Sequence, residues 1–493
     1  MRIDGPVFTV QSRRGGALQC TSPAKHPEFP GDFKATAPEN GAARIDSSVS
    51  GLGPALGSSR RRRLPAEKEI VMHRTVPESR RPILILLLVL FLASVPNVAM
   101  AATAVDDWSA IGNQAIVVNA ARAGTSNIDF AYMFIAIYDA VNAIDGGHTV
   151  FAVTPTSPTA GASLEAATAA AAYTMLKWLF PTQEASYLTP TYNAYVAALP
   201  AAGKAAGIAV GTEVGNALIA QRNGDGRNAS VAYTFQTGPG QYQATPGGAP
   251  TPVTPWLAQM RTFAIEDSTQ FRAPAPPDLH SGQWAKDFNL TKDYGALSGS
   301  IRTVEQTENG LFYAENPGQQ INRNVRRVAT DHNLSLVDAA RFFAQVYVSI
   351  ADAQMTTWNS KYYYNFWRPV TAIRAADTDG NHKTDLDAGW LPLVLTPSHP
   401  EYPAAHPTVT GAFAYAIGEF FGTKNVDVTF TSTSVTPGVT TELHVDNIDD
   451  IVEHVMAGRI YGGMHYHTST LEGSKIARKV AHYVSLHYFL PVK

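Results

Sequence analysis

From residue 102 onward, apolar side chains recur every three or four positions, and no stretch alternates convincingly every second one. A period near 3.6 lines one face of a helix, whereas a period of two lines one face of a strand. The chain is therefore expected to be all-α. Phe130, Met133, Ile137, Ala140 and Val141 mark an amphipathic helix over 128–144, and residues 163–179 are rich in alanine, the strongest helix former. Helical patterns continue over 184–198 and 202–221. A second set begins near Ser281: 334–358, with Asn333 or Ser335 as N-cap, then 361–375, 404–421, 448–461 with Asp446 as N-cap, and 468–489. The helix count fits two packed bundles of four to five helices.

Between the two sets, residues 223–280 form an excursion whose centre is dense in Gly, Pro, Thr and Gln, the composition of a long loop. This leaves 102–222 as an N-terminal helical half and 281–493 as a C-terminal half. In front of both, residues 83–95 form an apolar run that follows Arg74, Arg80 and Arg81 and precedes Ala99-Met100-Ala101. The run is too short to span a bilayer comfortably, and it ends in the small residues that a signal peptidase reads. Residues 72–101 are expected to be a secretory signal peptide. Residues 1–71, rich in Gly, Pro, Ser and Arg, are expected to be a non-native extension that translation from Met72 would omit. The product would then be secreted or periplasmic, with no stable membrane anchor.

The formal net charge of −3 conceals an asymmetry. Residues 1–101 hold 14 Lys and Arg against 8 Asp and Glu, which leaves 24 against 33, a net of −9, for the rest. An acidic body argues against nucleic acid or an anionic membrane as partner. It also makes a cluster of cations within that body informative. The single cysteine, Cys20, precedes the body, so no disulfide, zinc–thiolate site or cysteine nucleophile can operate there.

Such a cluster lies in the last third of the chain. Lys361 and Arg368 are seven apart, about two turns if both lie on one helix, and so on one side of it. The aromatic residues between them, Tyr362 to Trp367, make that side half buried. Two cations there repel unless an anion lies between them or each has an acidic partner. His406 follows Pro403 at an apparent helix start, where backbone N–H groups such as that of Ala405 suit an oxyanion. Arg459 and His465 would face apart on an unbroken helix, but Gly462-Gly463 lets the chain turn and bring them together. Three cations and two histidines suit a compact tetrahedral oxyanion: phosphate, or its mimic vanadate. Separately, Asp377, Asp379, Asn381 and Asp385 are spaced like the first part of a calcium loop, although the closing glutamate is replaced by Ala388.

The order Lys361-x6-Arg368-Pro369, Pro403-Ala404-Ala405-His406 and Gly458-Arg459-x5-His465 resembles the vanadium-dependent haloperoxidases and their relatives, the type 2 phosphatidic acid phosphatases. Trp358-x-x-Lys361 and Phe366-Trp367-Arg368-Pro369 resemble the haloperoxidase branch. The specific likeness covers 334–470. It implies that Lys361, Arg368 and Arg459 bind the oxyanion, with Ala405 adding its N–H. It also implies that His465 coordinates vanadium, that His406 is the acid–base, and that Trp358 and His399 face the halide. Family bromoperoxidases carry His at the position of His399, which favours bromide. The implied substrates are hydrogen peroxide, a halide and a small organic acceptor. The alternative within the superfamily is an acid phosphatase acting through phospho-His465. Two positions depart from the family pattern: Ala404 stands for its Ser, and Gly458 for the Ser before the arginine.

Overall fold

A computed structural model describes residues 103–121 and 124–492. The signal peptide and the extension expected over 1–101 lie outside the described residues. Within them are thirteen α-helices and one two-stranded antiparallel hairpin, so the all-α expectation holds. The N-terminal half contains α1 (Ala104–Asn113), α2 (Ser126–Asp145), α3 (Leu164–Leu179), α4 (Thr189–Ala198) and α5 (Lys204–Arg222). The C-terminal half contains α6 (Gly282–Gly295), α7 (Val304–Phe312), α8 (Pro317–Asp331), α9 (Leu336–Tyr364), α10 (Pro369–Ile373), α11 (Ala405–Phe421), the hairpin β1 (Val428–Thr436) and β2 (Val439–Val445), α12 (Ile448–Tyr461) and α13 (His467–His487).

Two helices form the spine. The sequence marks α2 as amphipathic, but it is buried continuously from Ser126 to Asn142. Its partner α9 is buried almost continuously from Ala339 to Lys361. A helix apolar on all sides belongs in a core, not on a surface. Each carries an aspartate in its middle that accepts three successive backbone N–H groups. Asp139 takes those of Phe151, Ala152 and Val153 at 2.8, 2.9 and 2.9 Å. Asp352 takes those of Phe263, Ala264 and Ile265 at 2.7, 2.7 and 2.9 Å.

Around the spine, helices pair closely. A Cβ on Gly211 of α5 would stand 2.2 Å from the Ala167 carbonyl of α3, and one on Gly473 of α13 would stand 2.4 Å from the Ala404 carbonyl at the start of α11. Glycine is what lets these backbones touch. Residues 223–281 cross this frame with a single 3-10 turn, Pro255–Ala258.

Three local expectations are corrected. The stretch 361–375 is not one helix. Asn365 takes a left-handed φ of 50° and donates its N–H to the Lys361 carbonyl at 2.8 Å, which ends α9 before Arg368. Asn447, not Asp446, caps α12, accepting the Asp449 N–H at 2.9 Å. The hairpin breaks the expectation of no strands. Its Thr- and Val-rich segments are paired from Val428↔Val445 to Thr436↔Val439 around a turn in which Gly438 has φ 76°.

Candidate oxyanion site

Lys361, in the last turn of α9, has no exposed surface, and its Nζ donates to the carbonyls of Pro400 at 3.0 Å and Glu401 at 2.8 Å. Arg368, equally buried, stands at the N-cap of α10. Its Nε donates to the His399 carbonyl at 2.9 Å, its Nη2 to His399 Nδ1 at 3.0 Å, and its Nη1 to the Met464 carbonyl at 3.0 Å and His465 Nε2 at 3.1 Å. The two cations thus meet through the segment 399–401 and the turn at 464–465, not along one helical face. Arg459, in the last turn of α12, donates to the Tyr313 carbonyl at 2.9 Å and to Met464 Sδ at 3.0 Å, while its Nε is buried without a partner.

The turn after α12 is tight because it must be. Gly463 has φ 74°, and a Cβ there would lie 2.4 Å from the Gly295 carbonyl. It delivers His465 into the same buried space, with Nδ1 2.8 Å from Glu401 Oε1. His399 packs against Trp358 with centroids 5.1 Å apart and rings tilted by 40°, and Trp358 Nε1 donates to Thr254 of the excursion at 2.9 Å. His406 is the second residue of α11 and half buried, and among the described residues its ring has no hydrogen-bond partner. No side chain caps α11, since its N-cap is Ala404. Pro407 has no N–H, so Ala405 and His406 hold the first-turn amides that lack intrahelical partners.

These groups share one electrostatic neighbourhood. Burial first, then Arg368, pulls the Lys361 ammonium well below its ordinary value. Burial, then Arg459, Arg368 and Lys361, does the same to His406. His465 is pulled down by burial, then Arg368, Lys361 and Arg459. None of the three cations has a carboxylate at ion-pair distance among the described residues. The nearby acid is Glu401, which carries no exposed surface and is pushed up to about 7 by burial, against the pull of Lys361 and Arg368. Glu401 was missed in the sequence, although an acid between His399 and His406 was a signal.

The calcium spacing does not become a cage. Asp379 turns inward, accepting Trp284 Nε1 at 2.8 Å, the Asn381 N–H at 2.8 Å and the Thr384 hydroxyl. The Asn381 amide donates to the Leu279 and Ser281 carbonyls, and the Asp385 carbonyl accepts Lys292. Among the described residues no group of three His, Cys, Asp or Glu is arranged to hold a cation. The loop is a polar turn in which the side chains of Asp379 and Asn381 are already hydrogen-bonded within the protein.

Known proteins resemble the part of the chain that holds these residues. The model of the VCPO second helical-bundle domain matches residues 341–491. Vanadium chloroperoxidase of Curvularia inaequalis is 28% identical over 152 residues, which cover 26% of this chain and 24% of that protein. Over residues 341–491 the chain thus resembles the vanadium-dependent haloperoxidases. Its alignment spans about a quarter of that curated relative's length. The fold is also shared with solved structures. A bacterial vanadium-dependent iodoperoxidase is similar with TM-score 0.66 and 22% identity, over 79% of this chain and 98% of that one. A holo-type bacterial vanadium-dependent chloroperoxidase is similar with TM-score 0.61 and 16% identity, over 76% and 93%. Against the haloperoxidase pattern, the loss of serine at Gly458 has a packing reason. A Cβ there would stand 2.6 Å from Asn309 Oδ1 and 2.8 Å from Tyr313 Cδ2, because α7 lies against α12. Nothing in the structure explains Ala404.

Proposed function

We propose that the protein is a vanadate-dependent haloperoxidase that oxidises halide with hydrogen peroxide and passes the oxidised halogen to a small organic acceptor. The observation that carries this reading is the charge of the buried cage: Lys361, Arg368 and Arg459 face one nearby carboxylate, Glu401. An uncompensated buried ion costs several kcal/mol, so the cage calls for a further anion. The donor set fits vanadate. An ammonium and two guanidinium groups, one with an orphaned Nε, suit its oxygens. The uncapped start of α11 adds the Ala405 N–H, and His465 offers a nitrogen. When bound, vanadate supplies a Lewis acid for peroxide activation.

The chain's own residues supply the rest. Three cations and burial keep His406 neutral, so it is ready to accept a proton from incoming peroxide. A bound anion moves it back towards its ordinary range, which lets it return that proton to the departing oxygen. Lys361, Arg368 and Arg459 hold their charges in place before reaction, so charge developing on oxygen is met without reorganisation. For the halide we propose bromide, since His399 presents a polar ring tied to Arg368 beside Trp358. The pattern at 72–101 adds export with a mature chain starting near residue 102; peptides from residues 1–71 in the secreted protein would overturn that part.

The test pairs two assays. Protein incubated with orthovanadate, peroxide and bromide should brominate a dye, and phosphate-ester hydrolysis without vanadate should be slow. Vigorous hydrolysis with no bromination reverses the reading in favour of the phosphatase. His465→Ala should abolish bromination and weaken orthovanadate binding by more than about 100-fold, beyond the loss typical of a supporting residue.

A further inference from the structure

The two nitrogens of His465 are held by different partners. Nε2 lies 3.1 Å from Arg368 Nη1, and Nδ1 lies 2.8 Å from Glu401 Oε1. A guanidinium only donates, so Nε2 carries no proton and accepts. A neutral imidazole has one N–H, which must therefore sit on Nδ1. Glu401 Oε1 must then accept it, whatever the protonation of the other carboxyl oxygen. The same oxygen accepts the Tyr466 N–H at 3.2 Å, which fixes the carboxyl from a second direction.

Glu401 is also tied at its backbone to the rest of the cage. Its carbonyl accepts Lys361 Nζ at 2.8 Å, and its N–H donates to the Phe366 carbonyl at 2.9 Å, two residues before Arg368. Three other buried carboxyls among the described residues have different tasks. Asp139 and Asp352 hold backbone N–H groups, and Asp379 holds Trp284. Glu401 alone among these meets a cage histidine.

We propose that Glu401 is a positioning residue: it locks His465 as the Nδ1–H tautomer and turns the Nε2 lone pair into the cage. This rests on the oxyanion reading of the site. A carboxylate on the far nitrogen fixes the orientation of a ligating histidine and raises its basicity, and losing such a partner typically costs about 10–100-fold in affinity. In the present arrangement Arg368 Nη1 occupies that lone pair, so an incoming oxyanion must displace one guanidinium contact while Glu401 keeps the ring still.

Nitrogen NMR of histidine-labelled protein tests this directly, with the His465 signals assigned by their loss in His465→Ala. In the wild type, without vanadate, Nδ1 should report a proton and Nε2 a bare lone pair. Glu401→Gln keeps an acceptor oxygen and should keep the tautomer. Glu401→Leu should populate the Nε2–H form and raise the orthovanadate Kd, measured by equilibrium dialysis, by about 10–100-fold, with Glu401→Gln between the two. A wild-type His465 protonated on Nε2 overturns the proposal, even if Glu401→Leu fails to fold. So does a folded Glu401→Leu protein that binds orthovanadate as tightly as wild type. If the wild type binds no orthovanadate, the oxyanion reading fails, while the tautomer spectrum still decides the role of Glu401.

Discussion

Asp139 and Asp352 are the same device in two places. Each stands within a buried spine helix and clamps three successive amides, Phe-Ala-Val of the N-terminal half for Asp139 and Phe-Ala-Ile of the excursion for Asp352. In each half two further helices touch through glycine, α3 with α5 and α11 with α13. Yet one half holds a site and the other does not. Nine residues beyond Asp352 lies Lys361; nine beyond Asp139 lies His148, whose N–H simply closes on Asn142. The start of α3 is capped by the Ser163 hydroxyl at 3.1 Å from the Ala166 N–H, whereas the start of α11 has no side-chain cap. The frame is shared. The site arises where the polar groups of that frame are left unmatched beside buried cations.

The contrast can be broken at the clamps first. Asp139→Ala and Asp352→Ala each strand three buried or partly buried amides and should each lower stability by about 3 kcal/mol in urea unfolding, while folded Asp139→Ala should keep the wild-type orthovanadate affinity. Burial pushes both carboxyls up to about 6. A carboxyl that binds its proton more tightly when folded stabilises most at low pH and loses that contribution as the pH rises through about 6. The stability gap between wild type and either variant should therefore shrink as the pH rises from 4 to 6. A gap that widens would mean the amides, not burial, dominate.

The site half is next. Ala404→Ser should restore a hydroxyl to the cage and tighten orthovanadate by about 10–100-fold, the worth of one hydrogen bond to a charged group. Gly458→Ser should do the reverse, overpacking against Asn309 and Tyr313 and costing about 1–3 kcal/mol of stability. Equal effects from the two serines would erase the distinction between a chemical and a packing departure. Smallest of all, Ser163→Ala should remove the cap of α3 for about 1 kcal/mol, read as a lowered Tm, and leave orthovanadate affinity unchanged.

Much of this was legible in the sequence. Helices from 128 onward followed the apolar period, and α12 matched it at both ends, because periodicity is written locally. The cage residues were legible because Lys, Arg and His in an aromatic, acidic chain have no packing purpose. What escaped depended on distant partners. The end of α9 at Asn365 carries no Gly or Pro, and an aromatic run crosses it. The role of Glu401 exists only through His465, 64 residues later. The hairpin had its signals, β-branched residues around Pro437-Gly438, but Thr in place of apolar residues blurred the alternation.

The break at Asn365 has an outcome beyond secondary structure. Its side chain is held by Tyr233 and Gln241, its carbonyl takes the Tyr242 N–H, and the Trp367 N–H reaches the Gly240 carbonyl. The spacing of the first two cations is therefore set by a loop that precedes them by more than a hundred residues. Grip on the anion becomes adjustable from outside. Insertions, deletions or substitutions in that loop can retune it while every charged residue stays as it is, so variation in cofactor affinity should be sought there as well as in the cage.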